Sequence, residues 1–323
     1  MNTLLMVLRA AADETRLRLL NLFARGEWTV SEVVRVLGQS QPRVSRHLKI
    51  LTDSGLLERY REGSWVFHRL TMRGSGRRAA TALLDLLSED DPVVTRDLEQ
   101  LDLIIAQRRR DAAEYFGRAA ASWDEVRSLH LDEILVERAI MDTLTPSGID
   151  DFLDIGTGTG RMVELYAPRV THALGVDQSH EMLSLARANL ERAGLTNAHV
   201  RQADAYQLPF ESASFDGVCI HQVLHFLDHP SRAVTEAGRV LRAGGRLLVV
   251  DFAPHQYEHL RENHAHRRLG FSDDEVTAWV DAGGLKMDKT LKLTGGALTV
   301  GLWLAVKPQR RADVDNRAAS APS

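Results

Sequence analysis

The chain has 323 residues, 44% hydrophobic and 26% charged, which is enough for two domains with real cores and includes no apolar run near the roughly 18 residues of a membrane-crossing helix. Its single cysteine, Cys219, excludes an intrachain disulfide framework and any site built from several thiolates of one chain, and fits a reducing cytoplasm with no membrane partner. The net charge of −4 is unevenly spread: residues 1–75 hold 12 Lys/Arg against 7 Asp/Glu, so a basic end that suits a polyanion is joined to an acidic body.

The opening MNTLLMVLRAAADETRLRLL lacks a basic start, an apolar core and a cleavage site, and reads as folded helix rather than signal peptide. Asp13-Glu14-Thr15 predicts a capped, apolar-striped helix over 16–23. Thr29-Val30-Ser31-Glu32 has capping-box spacing and opens a short helix over 31–37, which Gly38 ends in left-handed backbone. Ser40 caps the next helix, and Pro42 is tolerated in its first turn. Along that helix Val44, Leu48 and Leu51 share one side, leaving Gln41, Arg43, Ser45, Arg46 and Lys49 to face outward. Donors on one face and an apolar back on the other suit a helix in a DNA major groove, although an ordinary exposed basic face has the same pattern. Residues 57–68 predict a β-hairpin turning at Glu62-Gly63, with Arg59 and Arg61 at its tip. Residues 1–87 therefore read as a winged helix-turn-helix domain with its wing on the sugar-phosphate backbone.

Three stretches, ADETRLRLL, SQPRVSRHLKILTDSGLL and RYREGSWVFHRL, resemble the ArsR/SmtB winged-helix repressors over residues 1–75. The resemblance implies a homodimer that binds a palindromic operator in double-stranded DNA and releases it when an effector binds. Many members sense metals or arsenite through cysteines on the first helix of the motif. Here the matching positions are Thr29 and Ser31, whose neutral hydroxyls cannot replace soft thiolates. No metal is expected there, and the effector must enter elsewhere.

Residues 76–87 read as the last helix of the winged domain, followed by the break Ser88-Glu89-Asp90-Asp91-Pro92. Val94, Leu98, Leu101 and Ile105 then recur at helical-seam spacing, and Tyr115, Phe116 and Trp123 follow. Residues 88–130 are expected to join the domains, to pack across the dimer and to cover the next domain's pocket; plain helical packing is the alternative. Arg108-Arg109-Arg110 reads as a solvated face.

From residue 151 apolar strands alternate with amphipathic helices: FLDIG, HALGVD, AHVRQADA, FDGVCIHQ, RLLVVDF and LTVGLWLAV are the strands. This predicts an α/β fold, a doubly wound Rossmann-like sheet over 131–307, with ligands at the carboxyl ends of the strands. Three ligands compete for the glycine turn LDIGTGTG. A P-loop needs Gly-Lys-Ser/Thr where Arg161-Met162 follow Gly160, so that option fails. A dinucleotide fingerprint would need glycine at position 161, which weakens it. S-adenosylmethionine, or its product S-adenosylhomocysteine, suits the remaining pattern. Asp154 can receive the methionine ammonium. Gly156, Thr157, Gly158 and Gly160 form the turn, and the helix that follows offers unpaired amides. Asp177, beside Gln178, can accept from both ribose hydroxyls. Asp204 can take the adenine amino group, with the Ala205 amide to the ring.

The motifs LDIGTGTG, ALGVDQSHEML, RQADAYQLPF, FDGVCIHQVLHFLDHP and RVLRAGGRLLVVDF resemble the class I S-adenosylmethionine-dependent methyltransferases over about residues 115–307, in the small-molecule branch related to quinone-biosynthesis enzymes. The resemblance implies a seven-stranded sheet whose last strand, LTVGLWLAV, runs antiparallel, and it adds His221 to the cofactor site. The fourth strand ends in IHQVLH, without the motifs of amino- or cytosine-C5-methylating DNA enzymes. His221, His225, His229, His255, His259, His264 and His266 cluster late in the chain. Of these, His221 or His255 is a candidate general base, a few could hold a divalent metal, and surface or rim roles are the alternative. Two functions fit: a transcriptional regulator, a repressor, with S-adenosylmethionine or S-adenosylhomocysteine as effector; or an active methyltransferase on a small-molecule acceptor, its winged helix regulating its own operon. The tail 308–323 is small and polar and is expected to be disordered.

Overall fold

The computed structural model describes residues 2–62, 65–71, 74–87, 91–107, 132–263 and 266–309. They fall into two compact units; the second takes the chain after residue 131 apart from 191–199, which group with the first. The wing turn at Gly63, the aromatic residues Tyr115, Phe116 and Trp123, the Arg108–Arg110 run, His264 and the tail beyond 309 lie outside the described residues.

The N-terminal unit contains α1 (Asn2–Ala11), α2 (Glu14–Ala24), β1 (Trp28–Thr29), α3 (Val30–Leu37), α4 (Gln41–Asp53), β2 (Leu57–Glu62), β3 (Trp65–Leu70) and α5 (Gly74–Leu84), then α6 over 92–107. Asp13 caps α2 by accepting from the Arg16 amide at 3.1 Å. Thr29 and Glu32 complete a reciprocal capping box on α3, and Gly38 closes that helix at φ 63°. Ser40 precedes α4 in extended backbone but makes no side-chain cap. The strands form a small sheet in the order β1-β3-β2, antiparallel throughout. Leu19, Leu22, Trp28, Val44, Leu48 and Leu51 make the core. Each such side chain taken from water contributes about 1.5–3 kcal/mol, which holds the two motif helices at a fixed angle. The seam of α6 packs on this same core through Leu101 and Ile104, with Leu98 and Ile105 at its margin. Its register is set by Asp97, which is buried and receives Arg18 of α2 at 2.6 and 2.8 Å.

The C-terminal unit runs α7 (Glu133–Thr143), β4 (Asp151–Ile155), α8 (Arg161–Tyr166), β5 (His172–Asp177), α9 (His180–Arg192), β6 (Ala198–Gln202), β7 (Phe215–His221), α10 (Pro230–Val240), β8 (Leu241–Phe252), α11 (His259–Asn263), α12 (Asp273–Ala282), β9 (Lys286–Leu293) and β10 (Val300–Val306). One sheet has the order β6-β5-β4-β7-β8-β10-β9. β4 is parallel to β5 and β7, and β10 is antiparallel to both neighbours. All five residues of β4 are buried, as expected for a central strand covered on both faces. Chain order reverses at β4, so a crevice opens at its carboxyl end. β9 carries a weak sequence signal: an edge strand, KMDKTLKL, with three polar residues in a row at Asp288, Lys289 and Thr290, largely exposed. Among the described residues no helix is long and apolar enough to cross a membrane.

Candidate functional site

The turn between β4 and α8 forms because three of its residues are glycines in left-handed backbone: φ is 74° at Gly156, 52° at Gly158 and 83° at Gly160. Gly156 also has no room for a side chain, since a Cβ there would lie 2.2 Å from Val223 Cγ2. The amides of Gly156 and Thr157 donate to the Val176 carbonyl at 2.7 and 2.9 Å, so the turn is tied to β5. Asp177 extends that tie: its carboxylate accepts from the Gly158 amide and from the Ser179 amide, each at 2.9 Å.

Beside this turn lies a cavity of about 850 Å³. Asp154, Gly156, Thr157, Gly158, Asp177, Gln178, Asp204, Ala205 and His221 all line it. Of the sequence-predicted cofactor residues, Gly160 does not. It caps α8, and a Cβ there would lie 3.0 Å from that of Ala186, so it serves close helix packing. Three strand ends thus deliver acidic side chains to one space. Asp204 is steadied by the Tyr206 amide, which donates to its Oδ1 at 2.9 Å. Asp154 is 2% exposed and its Oδ1 has no hydrogen-bond partner among the described residues. Burial pushes its carboxyl up to about 7; the Asp177 charge pushes the same way, and the Thr157 hydroxyl beside it opposes without closing a full hydrogen bond. A buried carboxylate with an open lone pair in a cavity is a receptor for a cationic donor.

The lining also includes residues that sequence reasoning missed: Val136 and Glu137 of α7, Arg161, Gln222, Phe226 and Val300. Arg161 carried a signal as the first residue after the glycines, but α7 and β10 come from distant parts of the chain. Of the two candidate bases, His221 lines the cavity and His255 does not. His255 Nδ1 instead accepts from the Tyr257 amide at 3.3 Å, and burial, with His225 adding, lowers its pKa. The histidine-rich region is largely a packed cluster. His225 Nδ1 meets the buried Asp251 at 2.7 Å, and its ring stacks on His266 at 4.2 Å. Among the described residues no three His, Cys, Asp or Glu side chains are placed to hold a metal.

In the N-terminal unit the sequence-predicted DNA-facing residues are all on the surface. Gln41, Arg43, Ser45, Arg46 and Lys49 are exposed on α4, over the buried Val44, Leu48 and Leu51. Lys49 is not a free cation: its Nζ bonds Asp53 at 2.8 Å. Arg59 and Arg61 are exposed on β2. Arg69, by contrast, is buried, donating to Glu27 at 3.1 Å. Thr29 and Ser31 have hydroxyls 3.1 Å apart, and Thr29 also donates to Glu32 at 2.7 Å.

Residues 13–59 match the model of the arsR family of bacterial regulatory proteins, and residues 153–249 match a methyltransferase domain. Over 100 residues the chain is 40% identical to a phosphatidylethanolamine N-methyltransferase of Cereibacter sphaeroides, covering 31% of this chain and 49% of that one. It is 32% identical over 147 residues to a ubiquinone/menaquinone biosynthesis C-methyltransferase of Vibrio cholerae, covering 44% and 56%. Among solved structures, the YcgJ protein of Bacillus subtilis aligns with a TM-score of 0.47 at 23% identity, over 54% of this chain and 98% of that one. The chain spans about half the length of the curated relatives it matches. It joins an N-terminal helix-turn-helix domain of the arsR family to a C-terminal class I methyltransferase domain.

Proposed function

We propose that the chain is a DNA-binding transcriptional repressor whose methyltransferase domain binds S-adenosylmethionine or S-adenosylhomocysteine as effector. One observation carries the cofactor assignment: a buried carboxylate with an open lone pair, Asp154 Oδ1, shares a cavity with Asp177, Asp204 and a glycine turn. Asp154 receives the methionine ammonium. Asp177, held by the Gly158 and Ser179 amides, keeps lone pairs for the two ribose hydroxyls. Asp204 takes the adenine amino group, with the Ala205 amide to the ring. When bound, S-adenosylmethionine supplies an electrophilic methyl on a sulfonium. The α4 face and the arginines of β2 meet the operator. Leu4, Leu5, Met6 and Leu8 of α1 are exposed, an apolar face that supports a homodimer and hence a palindromic site. The hydroxyls at the thiolate positions favour an effector bound elsewhere, and a cavity preferring one of the two ligands shifts the operator-binding equilibrium by that difference in affinity.

A second reading is an active methyltransferase on a small-molecule acceptor, favoured by the names of the relatives and by His221 in the cavity wall. The deciding experiment follows the anisotropy of fluorescent DNA from the gene's own upstream region, bound to the full chain, while S-adenosylmethionine and S-adenosylhomocysteine are titrated separately. A micromolar response to one and not the other supports the sensor. DNA binding indifferent to both overturns it.

A further inference from the structure

We infer that Glu236 and Arg239 of α10 are positioning residues for the adenine end of the cavity: they fix its base selectivity through the loop that carries Asp204, without touching the ligand. This rests on the cofactor reading above. Asp204, Ala205 and Tyr206 line the cavity from the 203–214 connection between β6 and β7. That connection is held internally by the bridge between Asp204 and Gln207. An irregular segment keeps a carboxylate in place only when its own backbone groups are bound by a fixed neighbour.

α10 is that neighbour. Its apolar face, Ala233, Val234, Ala237 and Val240, is buried in the core of the sheet, which leaves Glu236 and Arg239, three residues apart, to share another face. Arg239 Nε and Nη2 donate to the two Glu236 oxygens at 2.8 and 2.7 Å, a forked, charge-assisted pair. The same guanidinium reaches the loop: Nη2 also donates to the Leu208 carbonyl at 3.1 Å, and Nη1 to the Phe210 carbonyl at 2.8 Å. Glu236 Oε1 accepts from the Leu208 amide at 2.8 Å. Leu208 is thus held at both of its backbone groups, directly after Gln207. From there the order passes to the site. The Gln207 amide donates to the Asp204 carbonyl at 3.0 Å, and the Tyr206 amide to Asp204 Oδ1 at 2.9 Å. The Tyr206 hydroxyl accepts at 3.0 Å from the amide of His229, the residue before α10, so one helix secures the turn from two directions. Neither Glu236 nor Arg239 lines the cavity. A carboxylate that accepts from the adenine amino group rejects a base with an oxygen there only if it is held to within about 0.5 Å.

The test compares, by titration calorimetry on the full chain, S-adenosylhomocysteine with S-inosylhomocysteine, in which an oxygen replaces the adenine amino group. The unaltered protein is expected to bind the adenine form at least tenfold tighter. Two conservative variants then separate positioning from folding. Arg239→Lys keeps the charge but not the fork, and Glu236→Gln keeps an acceptor for the Leu208 amide but not the ion pair. Each weakens S-adenosylhomocysteine about tenfold and leaves S-inosylhomocysteine within twofold, so the base preference collapses. Damage to the fold alone would lower both affinities together. Equal weakening of both ligands, or an unchanged preference, in either variant overturns this inference and leaves the cofactor reading standing. Equal binding of the two ligands by the unaltered protein overturns it as well. If the unaltered protein binds neither ligand, the cofactor reading falls with it.

Discussion

In the N-terminal unit the side chains proposed to act stand outside one helix, over an apolar back of Val44, Leu48 and Leu51; in the C-terminal unit they sit inside, where Asp154 is almost fully buried and its neighbours come from separate strand ends. The difference follows from the partner proposed for each. A polyanion is met by mobile, solvated cations whose worth depends on salt. A small ligand with a few donor groups needs acceptors held in a dry, shaped space, where one misplaced methyl is felt. The outer site should therefore degrade gradually under mutation and the inner one abruptly.

Gly156→Ala tests the abrupt side. The new Cβ meets Val223 in a backbone conformation that L-residues resist, so about 2–4 kcal/mol of stability is lost. S-adenosylhomocysteine binding falls beyond calorimetric detection, while DNA binding measured below the melting temperature persists. On the gradual side, Arg43→Ala combined with Arg46→Ala lowers operator affinity about 10–100-fold and flattens its salt dependence. S-adenosylhomocysteine affinity, by titration calorimetry, does not move. A result in which either variant damages both sites equally would erase the contrast.

Asp97→Ala sharpens it from within the N-terminal unit. It leaves the Arg18 guanidinium facing an apolar contact, so a loss of about 2–3 kcal/mol is expected in chemical denaturation, larger than for any single α4 surface residue. The pH response separates the units further. Asp154 has its carboxyl at about 7, and a bound ammonium favours the charged form. Below pH 7 binding must therefore release a proton, and ligand affinity rises up to tenfold per pH unit until it levels above 7. For the unliganded protein the sign is opposite. A carboxyl raised by burial contributes stability that is full below its unfolded value near 4 and is lost as pH rises through about 7. Asp154→Asn abolishes both slopes, as calorimetry and thermal melts between pH 5 and 8 would record. The smallest effect is Lys49→Ala. Its ammonium is already paired with Asp53 in an exposed position, so operator affinity changes less than for Arg43 or Arg46, and stability by about 0.5 kcal/mol or less.

These contrasts bear on what a linear reading can reach. The capping box at Thr29 and Glu32, the outward row on α4 and the glycine turn are local, with partners three or four residues apart or on one helix face, and each is visible in the string. The register of α6 was not, because Asp97 is buried by an arginine 79 positions earlier. Nor was Gln222, whose backbone is bent by Val250 and Gly156 on other elements. The histidines illustrate both limits: their clustering is plain, but only the fold puts His221 in the cavity and turns His225 toward Asp251.

The sequence by itself determined the two-part organisation, the helix-turn-helix with its basic face, the alternation that yields a covered sheet, and the acidic residue at each of three strand ends, because periodicity and capping act over a few residues. The tertiary structure alone decided which distant segments close the cavity, which charges are neutralised and how far burial shifts Asp154. Those properties depend on neighbours brought together by packing, and the chain order does not state them.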